Sequence, residues 1–258
     1  RLAGALDGPA EESVDPLPDR GEATPLETDA EDSGESEMPP PDDAASLLRD
    51  TLARLPVEPL RLEGVMIVRR QRGVVLREIP FAIQLEWGAE PPRARYELRD
   101  GFGRTRLLLD VLHHAGDGQA IETVWRDADG HPLPHPPALD DSIDDSDVTW
   151  LDLTMAFLWW PDARLAGSEN FRGSLCDIVV VTPPHPLPEC AAMRLWIDRR
   201  LRFLRQVEQL DDRGRIARRM WVSSVSRRGD RWMIRNMEIE RRGSGHRTKL
   251  HVEDFGPP

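Results

Sequence analysis

Apolar and polar residues alternate through much of residues 60–128, which is typical of β-strands with one buried face. The turn RQRGV divides residues 60–87 into two strands, a turn at Asp100–Gly103 divides the next pair, and QAIETVW forms a fifth strand. Strands joined by such short turns pair as antiparallel neighbours. The pattern therefore predicts a five-stranded meander whose first hairpin directs these residues to one face: Leu60, Leu62, Val65, Ile67, Val75, Ile79, Phe81, Ile83, Leu85 and Trp87.

The sequence DDAASLLRDTLARLP, just before this meander, predicts an amphipathic helix. Asp42 or Asp43 can cap its first turn, and Pro56 ends it. Apolar side chains recur at helical spacing, so one face of the helix needs a partner, which we expect to be the sheet. That face consists of Ala45, Leu48, Leu52 and Leu55.

A second helical pattern occupies residues 145–161, DSDVTWLDLTMAFLWWP. Thr149 and Asp152 have the spacing of a capping box, and Ser146 or Asp147 can also cap the helix. Apolar residues lie on both sides, so the helix should have contacts on two sides, or contacts on one side and a ligand on the other. The apolar stretch is too short to cross a membrane. The two sides are Val148, Leu151, Met155 and Leu158, and Trp150, Leu153 and Phe157.

The strand pattern resumes after Pro161, with breaks at Asp211–Gly214 and Arg228–Asp230. Residues 129–145 form a long irregular connection between the two halves. The chain as a whole is expected to hold about ten or eleven strands and two main helices, and a sheet of that size tends to curl. Helices would then cover its concave side.

The formal charge of −12 is carried entirely by residues 1–43, since the remaining chain has 32 acidic and 32 basic residues. A body without net charge has no long-range field to steer it to nucleic acid or to anionic lipid, and we expect no nucleic-acid partner. Residues 1–41 lack aromatic residues and are rich in acidic residues and proline, which predicts a disordered tail or linker. Residues 42–258 are expected to form a single domain.

The basic residues are almost all arginine, and several occur in pairs spread along the chain. We interpret these pairs as solvated strand ends, because charge at strand ends and edges prevents edge-to-edge aggregation. The pairs are Arg69–Arg70, Arg199–Arg200, Arg218–Arg219, Arg227–Arg228 and Arg241–Arg242.

The two cysteines, Cys176 and Cys190, leave a disulfide open. A chain reversal near Pro183 would place them opposite each other on neighbouring strands, within bridging reach. The intervening TPPHPLP is instead typical of a broad, irregular loop that would shift this register.

No motif for catalysis or metal binding stands out. The five aspartates of LDDSIDDSD, residues 139–147, lack the glycine and closing glutamate of an EF-hand loop. The histidines lack zinc-site spacing, and there is no GxSxG motif. We therefore predict no catalytic residue, no metal and no cofactor, and a protein that is not an enzyme; a hydrolase built from scattered Asp and His residues is a minor alternative.

Several strings together resemble the LolA-like outer-membrane lipoprotein-sorting family, in particular its larger, uncharacterised relatives. SDVTWLDLTMAFLWWP is similar to their helical insert, and MRLWID followed by DDRGRIARRMWVSSV is similar to their strand, turn and strand. RWMIRNMEIERRGSGHRTKLHVEDF resembles their C-terminal pair of strands, which ends in a strand bearing a threonine, here Thr248. The resemblance covers residues 44–256.

The resemblance implies an α+β, mainly β fold: an incomplete antiparallel β-barrel of about 10–11 strands with helices covering its open mouth. Known members carry the acyl chains of lipoproteins across the periplasm without a cofactor or covalent chemistry. They rely on a cavity arginine that contacts the lid, for which Arg61, Arg69 and Arg77 are positional candidates here.

The expected function is therefore a non-covalent carrier or binder of lipoprotein acyl chains, or of a similar apolar ligand, in an extracytoplasmic space such as the periplasm. A removed signal peptide, a monomeric state and membrane-associated donor and acceptor proteins would accompany that function. The alternative is an interaction scaffold that fills its own cavity and binds a protein partner.

The candidate ligand-binding residues are large apolar side chains of the two helices and of the first meander. The five tryptophans among them could equally pack in an ordinary core, because a cavity of this kind is core left unfilled. They are Leu48, Leu52, Phe81, Trp87, Trp125, Trp150, Leu153, Phe157, Trp159 and Trp160.

Overall fold

The computed structural model describes residues 40–41, 43–70, 73–114, 121–228 and 231–257. The predicted tail, residues 1–41, lies outside the described residues except for its last two prolines. The helices are α1 (Ala44–Ala53), α2 (Trp150–Thr154) and a 3-10 helix (Ala156–Trp159). The strands are β1 (Leu60–Arg70), β2 (Val75–Glu86), β3 (Arg93–Arg99), β4 (Thr105–His113), β5 (Ile121–Asp127), β6 (Asp162–Phe171), β7 (Ser174–Thr182), β8 (Ala192–Asp198), β9 (Phe203–Leu210), β10 (Ile216–Arg228), β11 (Arg231–Arg241) and β12 (His246–Gly256).

All of these strands belong to one antiparallel sheet with the order β5-β4-β3-β2-β1-β12-β11-β10-β9-β8-β7-β6. Strands that follow each other along the chain are neighbours, except that β5 and β6 form the two edges. The N-terminal and C-terminal meanders are joined where β1 pairs with β12. The predicted mainly β fold, with an antiparallel sheet that does not close, is confirmed.

The predicted number of strands is too low, because the sheet has twelve. The strand that the sequence did not reveal is β6, whose residues are almost all exposed. An edge strand that is exposed on both faces needs no alternation of apolar and polar residues, so the period-2 signal is missing.

Part of the predicted inward face of the first hairpin is wrong. In β1 the buried residues include Met66 and Val68, whereas the predicted Val65 and Ile67 are half-buried. The β1–β12 pairing has an irregularity between Glu63 and Gly64, where it skips Glu253. In β2 the prediction is confirmed for Ile79, Phe81, Ile83 and Leu85, but Val75 is exposed at the hairpin tip.

Helix α1 begins after Asp43, whose carboxylate accepts a hydrogen bond of 2.7 Å from the backbone amide of Ser46. The predicted cap and the helix are therefore confirmed. The buried face is shifted by one residue from the predicted one, so that Ala45 is exposed. The residues that pack inward are Ala44, Leu47, Leu48 and Thr51.

Residues 147–160, which we refer to as the cover segment, form two short helical turns instead of the predicted single helix. The predicted capping box is confirmed: the Asp152 amide donates to the Thr149 hydroxyl at 3.3 Å, and the Thr149 amide donates to the Asp152 carboxylate at 2.9 Å. Met155 adopts a left-handed φ of 49°, which ends α2. The segment is buried on both sides, as predicted, with only Met155 and Trp159 half-buried. Within the described part of the chain, no helix is long and apolar enough to cross a membrane.

Cys176 and Cys190 are both free and buried. On β7, Cys176 pairs with Asp198 of β8, because the chain reverses closer to Leu187 than to Pro183. Burial raises the pKa of each thiol to about 12. The disulfide that the sequence left open is therefore not formed, and both thiols stay protonated at neutral pH.

Gly64 provides a test of the junction between the two meanders. A Cβ atom at this position would lie 2.2 Å from the backbone oxygen of His251 on β12. Backbone cannot move aside without parting β1 from β12, so we expect Gly64→Ala to lower the free energy of unfolding by roughly 1–3 kcal/mol. Urea denaturation measures the change.

The matched control is Gly101→Ala, since a Cβ at Gly101 would meet nothing within 4 Å. We expect that variant to stay within about 0.5 kcal/mol of the parent protein. Equal stability of the two variants would contradict the close approach of β1 and β12.

Candidate ligand-binding cavity

A cavity of about 350 Å³ lies between the sheet and the helical segments. Strands β1, β2, β11 and β12 line one side, and the end of α1, the cover segment and the β8–β9 turn line the other. This volume exceeds the about 150 Å³ of an engineered apolar cavity that binds benzene, and it falls at the small end of ligand sites, roughly 300–1,000 Å³. Its apolar lining includes Leu62, Ile83, Leu85, Met155, Leu158, Phe203, Leu204, Met233, Met237, Leu250 and Val252.

The cavity is partly open to solvent. Among its lining residues, Ala53, Arg54 and Arg200 are exposed, so the mouth lies between the end of α1 and the β8–β9 turn. Asp152 is the one carboxylate among the described lining residues, and it is already paired. The lining cations are five arginines: Arg54, Arg200, Arg202, Arg231 and Arg235.

Three of the ten predicted ligand-binding residues line this cavity, namely Phe81, Trp87 and Leu153. The other seven lie in the hydrophobic core around it, where Leu52 and Trp159 are partly buried and the rest are buried. The Trp125 and Trp150 rings pack edge to face with their centroids 4.7 Å apart. The remaining core members are Leu48, Phe157 and Trp160.

Arg218 of β10 ties the cover segment to the sheet. Its side chain is 7% exposed, and its Nη2 donates to the Asp152 carboxylate and, at 2.6 Å, to the backbone oxygen of Asp147. Its Nη1 donates to the Thr149 hydroxyl at 3.1 Å. Burial lowers the pKa of Arg218 to about 10, so the guanidinium stays charged at neutral pH. The N-terminal cap of α2 is thus held by a buried cation.

A second contact fixes the same end of the cover segment to β12. The fully buried Asp147 carboxylate accepts a hydrogen bond of 3.0 Å from the Thr248 hydroxyl, and its Oδ2 lies 2.8 Å from His246 Nδ1. The Asp147 amide also lies 3.0 Å from the Thr248 hydroxyl, to which it donates. The cover segment is therefore anchored at its start, and the cavity lies beneath its later residues.

The interpretation of arginine pairs as solvated ends is wrong for two of them. Arg218 is buried, and Arg199 donates from Nε to both carboxylate oxygens of the buried Asp177, at 3.2 and 3.1 Å. A signal for Arg218 was present in the sequence: in β10 it shares a face with the buried Met220 and Val222. Sequence reasoning assigned it to the surface because charge at strand ends and edges prevents edge-to-edge aggregation.

The positional candidates for a lid arginine do not contact the cover segment in this way. Arg61 pairs with Glu63 at 3.0 Å, while Arg77 donates to the backbone oxygen of Asp144 in the connection before the cover segment. Arg69 is half-buried on β1. The cover segment is instead held by Arg218, which lies in the second half of the chain.

His113 of β4 packs against the other end of the cover segment. Its ring stacks on Trp159 with 3.9 Å between centroids, and it is 1% exposed. Neither ring nitrogen has a hydrogen-bond partner among the described residues. Burial lowers the pKa of His113 to about 4, because a charged ring would lose its hydration there.

Asp127, Asp129 and His131 bring potential metal ligands within 4.8 Å of one another on the turn after β5. The Asp127 carboxylate already accepts hydrogen bonds from the amides of the other two residues, at 3.0 and 2.9 Å. These contacts are those of an ordinary turn, and the group lies outside the cavity.

The contact between Arg218 and Asp152 predicts a large loss of stability when it is broken. Arg218→Met leaves a buried carboxylate without its cation, so we expect the free energy of unfolding to fall by about 3–5 kcal/mol. Arg215→Met is the control, because Arg215 is 50% exposed in its ion pair with Asp211. We expect this substitution to lower the free energy of unfolding by about 0–1 kcal/mol. Similar losses in urea denaturation would show that the buried network does not hold the segment.

The low pKa of His113 predicts acid sensitivity. The unfolded chain takes up a proton at this residue as the pH falls through about 6.5, whereas the folded protein does so only near pH 4. Stability is therefore full above pH 6.5 and declines towards pH 4, by up to about 3 kcal/mol. We expect His113→Phe to remove this part of the decline in urea titrations at pH 7.5 and 4.5. His131→Phe, at an exposed histidine, should leave the decline unchanged.

The fold is shared with proteins of known structure. A family model described as an uncharacterized protein matches residues 136–256, and no curated protein matches the sequence. A DUF1329 family protein from Desulfovibrio piger has a TM-score of 0.68 at 17% identity, with 82% of this chain and 90% of that chain covered. A putative outer membrane lipoprotein-sorting protein domain from Vibrio parahaemolyticus has a TM-score of 0.68 at 13% identity, with 83% of this chain and 91% of that chain covered.

A LolA superfamily protein from Nitrosomonas europaea is similar over 84% of this chain and 94% of its own, with a TM-score of 0.63 at 12% identity. At such identities the likeness concerns the fold. The unclosed antiparallel sheet, the helix before it and the cover segment over its concave side together confirm the resemblance seen in the sequence: the chain has the LolA-like fold.

Proposed function

We propose that this protein is a non-covalent carrier or binder of lipoprotein acyl chains, or of a similar apolar ligand, and that it acts outside the cytoplasm. The observation that carries the proposal is the partly open cavity of about 350 Å³, whose lining is mainly apolar. Two structural relatives are named as lipoprotein-sorting or LolA superfamily proteins, which supports the same class of ligand. The proposal includes a monomer in the periplasm and no catalytic chemistry.

Burial of hydrocarbon supplies the affinity in this proposal. Each methylene group that leaves water contributes about 0.8 kcal/mol, so a chain of several methylenes binds without any directed contact. Flexible methionines suit such a ligand because they adapt to irregular shapes. Met155, Met233 and Met237 line the cavity from both of its sides.

The geometry also suggests how a chain would enter. The cover segment is anchored at its start by the buried contacts of Arg218 and Asp147. The mouth lies instead beside the end of α1 and the β8–β9 turn. An acyl chain would therefore enter at this mouth and lie beneath the later part of the cover segment, around Leu153 and Leu158.

The scaffold alternative requires a cavity that the protein fills with its own side chains. A partly open and mainly apolar space of about 350 Å³ between the sheet and the helical segments favours the carrier over the scaffold. The two proposals differ in a measurable way, since only the carrier loses its activity when the cavity is filled.

Val252→Phe tests the carrier. Val252 is 8% exposed on β12 and lines the cavity, so a phenyl ring there would occupy ligand space. We expect binding of the uncharged fluorescent probe N-phenyl-1-naphthylamine to weaken at least about tenfold, because about two buried methylenes correspond to that factor. Thermal unfolding of both proteins shows whether the variant is folded.

Leu165→Phe is the matched control, because Leu165 is 38% exposed on the edge strand β6, outside the cavity. It should bind the probe as the parent protein does. Mass spectrometry of an organic extract of the natively purified protein then identifies bound acyl lipid. A folded Val252→Phe protein with undiminished probe binding, or a parent protein that binds no probe, would refute the carrier.

A further inference from the structure

The cavity offers hydrogen-bond donors that no acceptor satisfies. Arg202 lines it with a side chain that is 6% exposed, and its Nε and Nη1 have no hydrogen-bond partner among the described residues. The indole Nε1 of Trp87, another lining residue, is likewise buried and unpartnered. Buried donors in folded proteins are nearly always satisfied, so donors left open in a cavity indicate an acceptor that binds there.

The carboxylates nearest to Arg202 do not fill this role. Asp50 and Asp177 each lie 3.7 Å from one of its nitrogens, beyond hydrogen-bond distance. Asp177 is held by Arg199, with both oxygens within 3.2 Å of the Arg199 Nε. Asp50 is 57% exposed, so its attraction is screened by water. Arg202 therefore has two carboxylates nearby, but its Nε and Nη1 donate a hydrogen bond to neither of them.

The backbone at Arg202 is also unusual. Its φ is +51°, in the left-handed region that a non-glycine residue adopts only when the surrounding structure imposes it. The residue lies in the tight turn between β8 and β9, where its amide donates to the backbone oxygen of Asp198 at 2.9 Å. This turn forms one wall of the cavity mouth, so the strained conformation places a buried arginine beside the entrance.

Further cations surround the same mouth. Arg54, Arg200, Arg231 and Arg235 line the cavity, against one carboxylate, Asp152, which is committed to Arg218. Arg231 donates to the backbone oxygen of Arg54 at 3.2 Å, so it holds the end of α1 in place. The cavity therefore combines an apolar interior with a mouth that carries positive charge.

We propose that the ligand is an anionic amphiphile: an acyl chain that ends in a carboxylate or a phosphate, with the chain in the cavity and the anionic group on Arg202 at the mouth. The inference rests on the proposed function and adds the class of headgroup. Guanidinium and carboxylate or phosphate match in geometry and form charge-assisted hydrogen bonds. A neutral acylglycerol would offer the Nε and Nη1 donors of Arg202 only uncharged acceptors.

Competition for the bound N-phenyl-1-naphthylamine tests this class of ligand. The competitors share one palmitoyl chain: palmitate, palmitoyl lysophosphatidate and monopalmitoylglycerol, at pH 8 and low salt. We expect both anions to displace the probe at about tenfold lower concentrations than the neutral glyceride. One charge-assisted hydrogen bond is enough to produce an affinity difference of that size. The difference between the two anions shows whether the site takes a carboxylate or a phosphate.

In the Arg202→Gln variant, both anions should displace the probe at the same concentration as the neutral competitor does. The concentration that the neutral competitor needs should not change. Arg213→Gln, at an exposed arginine of the β9–β10 turn, should retain the full preference. If Arg202→Gln does not fold, the double variant Arg200→Gln/Arg235→Gln takes its place and should reduce the preference several-fold.

Two results overturn the headgroup inference while the carrier stands: a parent protein that binds all three competitors equally, or an Arg202→Gln protein that weakens all three by the same factor. A parent protein that does not bind the probe overturns the carrier, and the headgroup inference fails with it.

Discussion

The buried guanidinium of Arg218 is the contact on which the arrangement over the sheet depends. An open sheet of twelve strands has an apolar face that must be covered, and the cover segment is too short to stay there by helix propensity alone. Arg218 satisfies the cap of α2 and the backbone oxygen of Asp147 at once. Because a buried cation needs its partners, the sheet and the cover segment position each other.

This anchoring divides the domain into a fixed end and an open end. At the fixed end, polar groups from β10, β12 and the cover segment form hydrogen bonds with one another inside the protein. At the open end, the end of α1 and the β8–β9 turn leave a mouth where two donors of Arg202 have no hydrogen-bond partner among the described residues. Arginine is therefore structural at the fixed end, and in our proposal it is available to a ligand at the open end.

The period of the hydrophobic pattern predicted most of the fold. It failed for elements whose burial does not follow the period of their secondary structure. The five-stranded first meander, the helix α1 and the Thr149–Asp152 capping box follow from local sequence. The edge strand β6 was missed because it is exposed on both faces, and α2 was overextended because the left-handed Met155 has no sequence signature. The local pattern of apolar and polar residues does not indicate either feature.

The cavity was harder to predict than the fold for a related reason. Phe81, Trp87 and Leu153 line it, yet Trp125, Trp150 and Phe157 have the same apolar character and lie in the surrounding core. Hydrophobicity alone does not separate a side chain that faces a void from one that faces a neighbour, since three-dimensional packing decides it.

The polar groups of the cavity distinguish a ligand site from ordinary core better than its apolar groups do. An apolar void costs stability in proportion to its size, and a protein without a ligand would gain by filling it. A buried arginine beside that void costs more, because its donors have left water without finding acceptors. Side-chain packing alone gives no reason to keep both features at one mouth. A ligand with a hydrocarbon chain and an anionic end would remove both costs together. Arg202 is therefore more informative about the class of ligand than the apolar lining is.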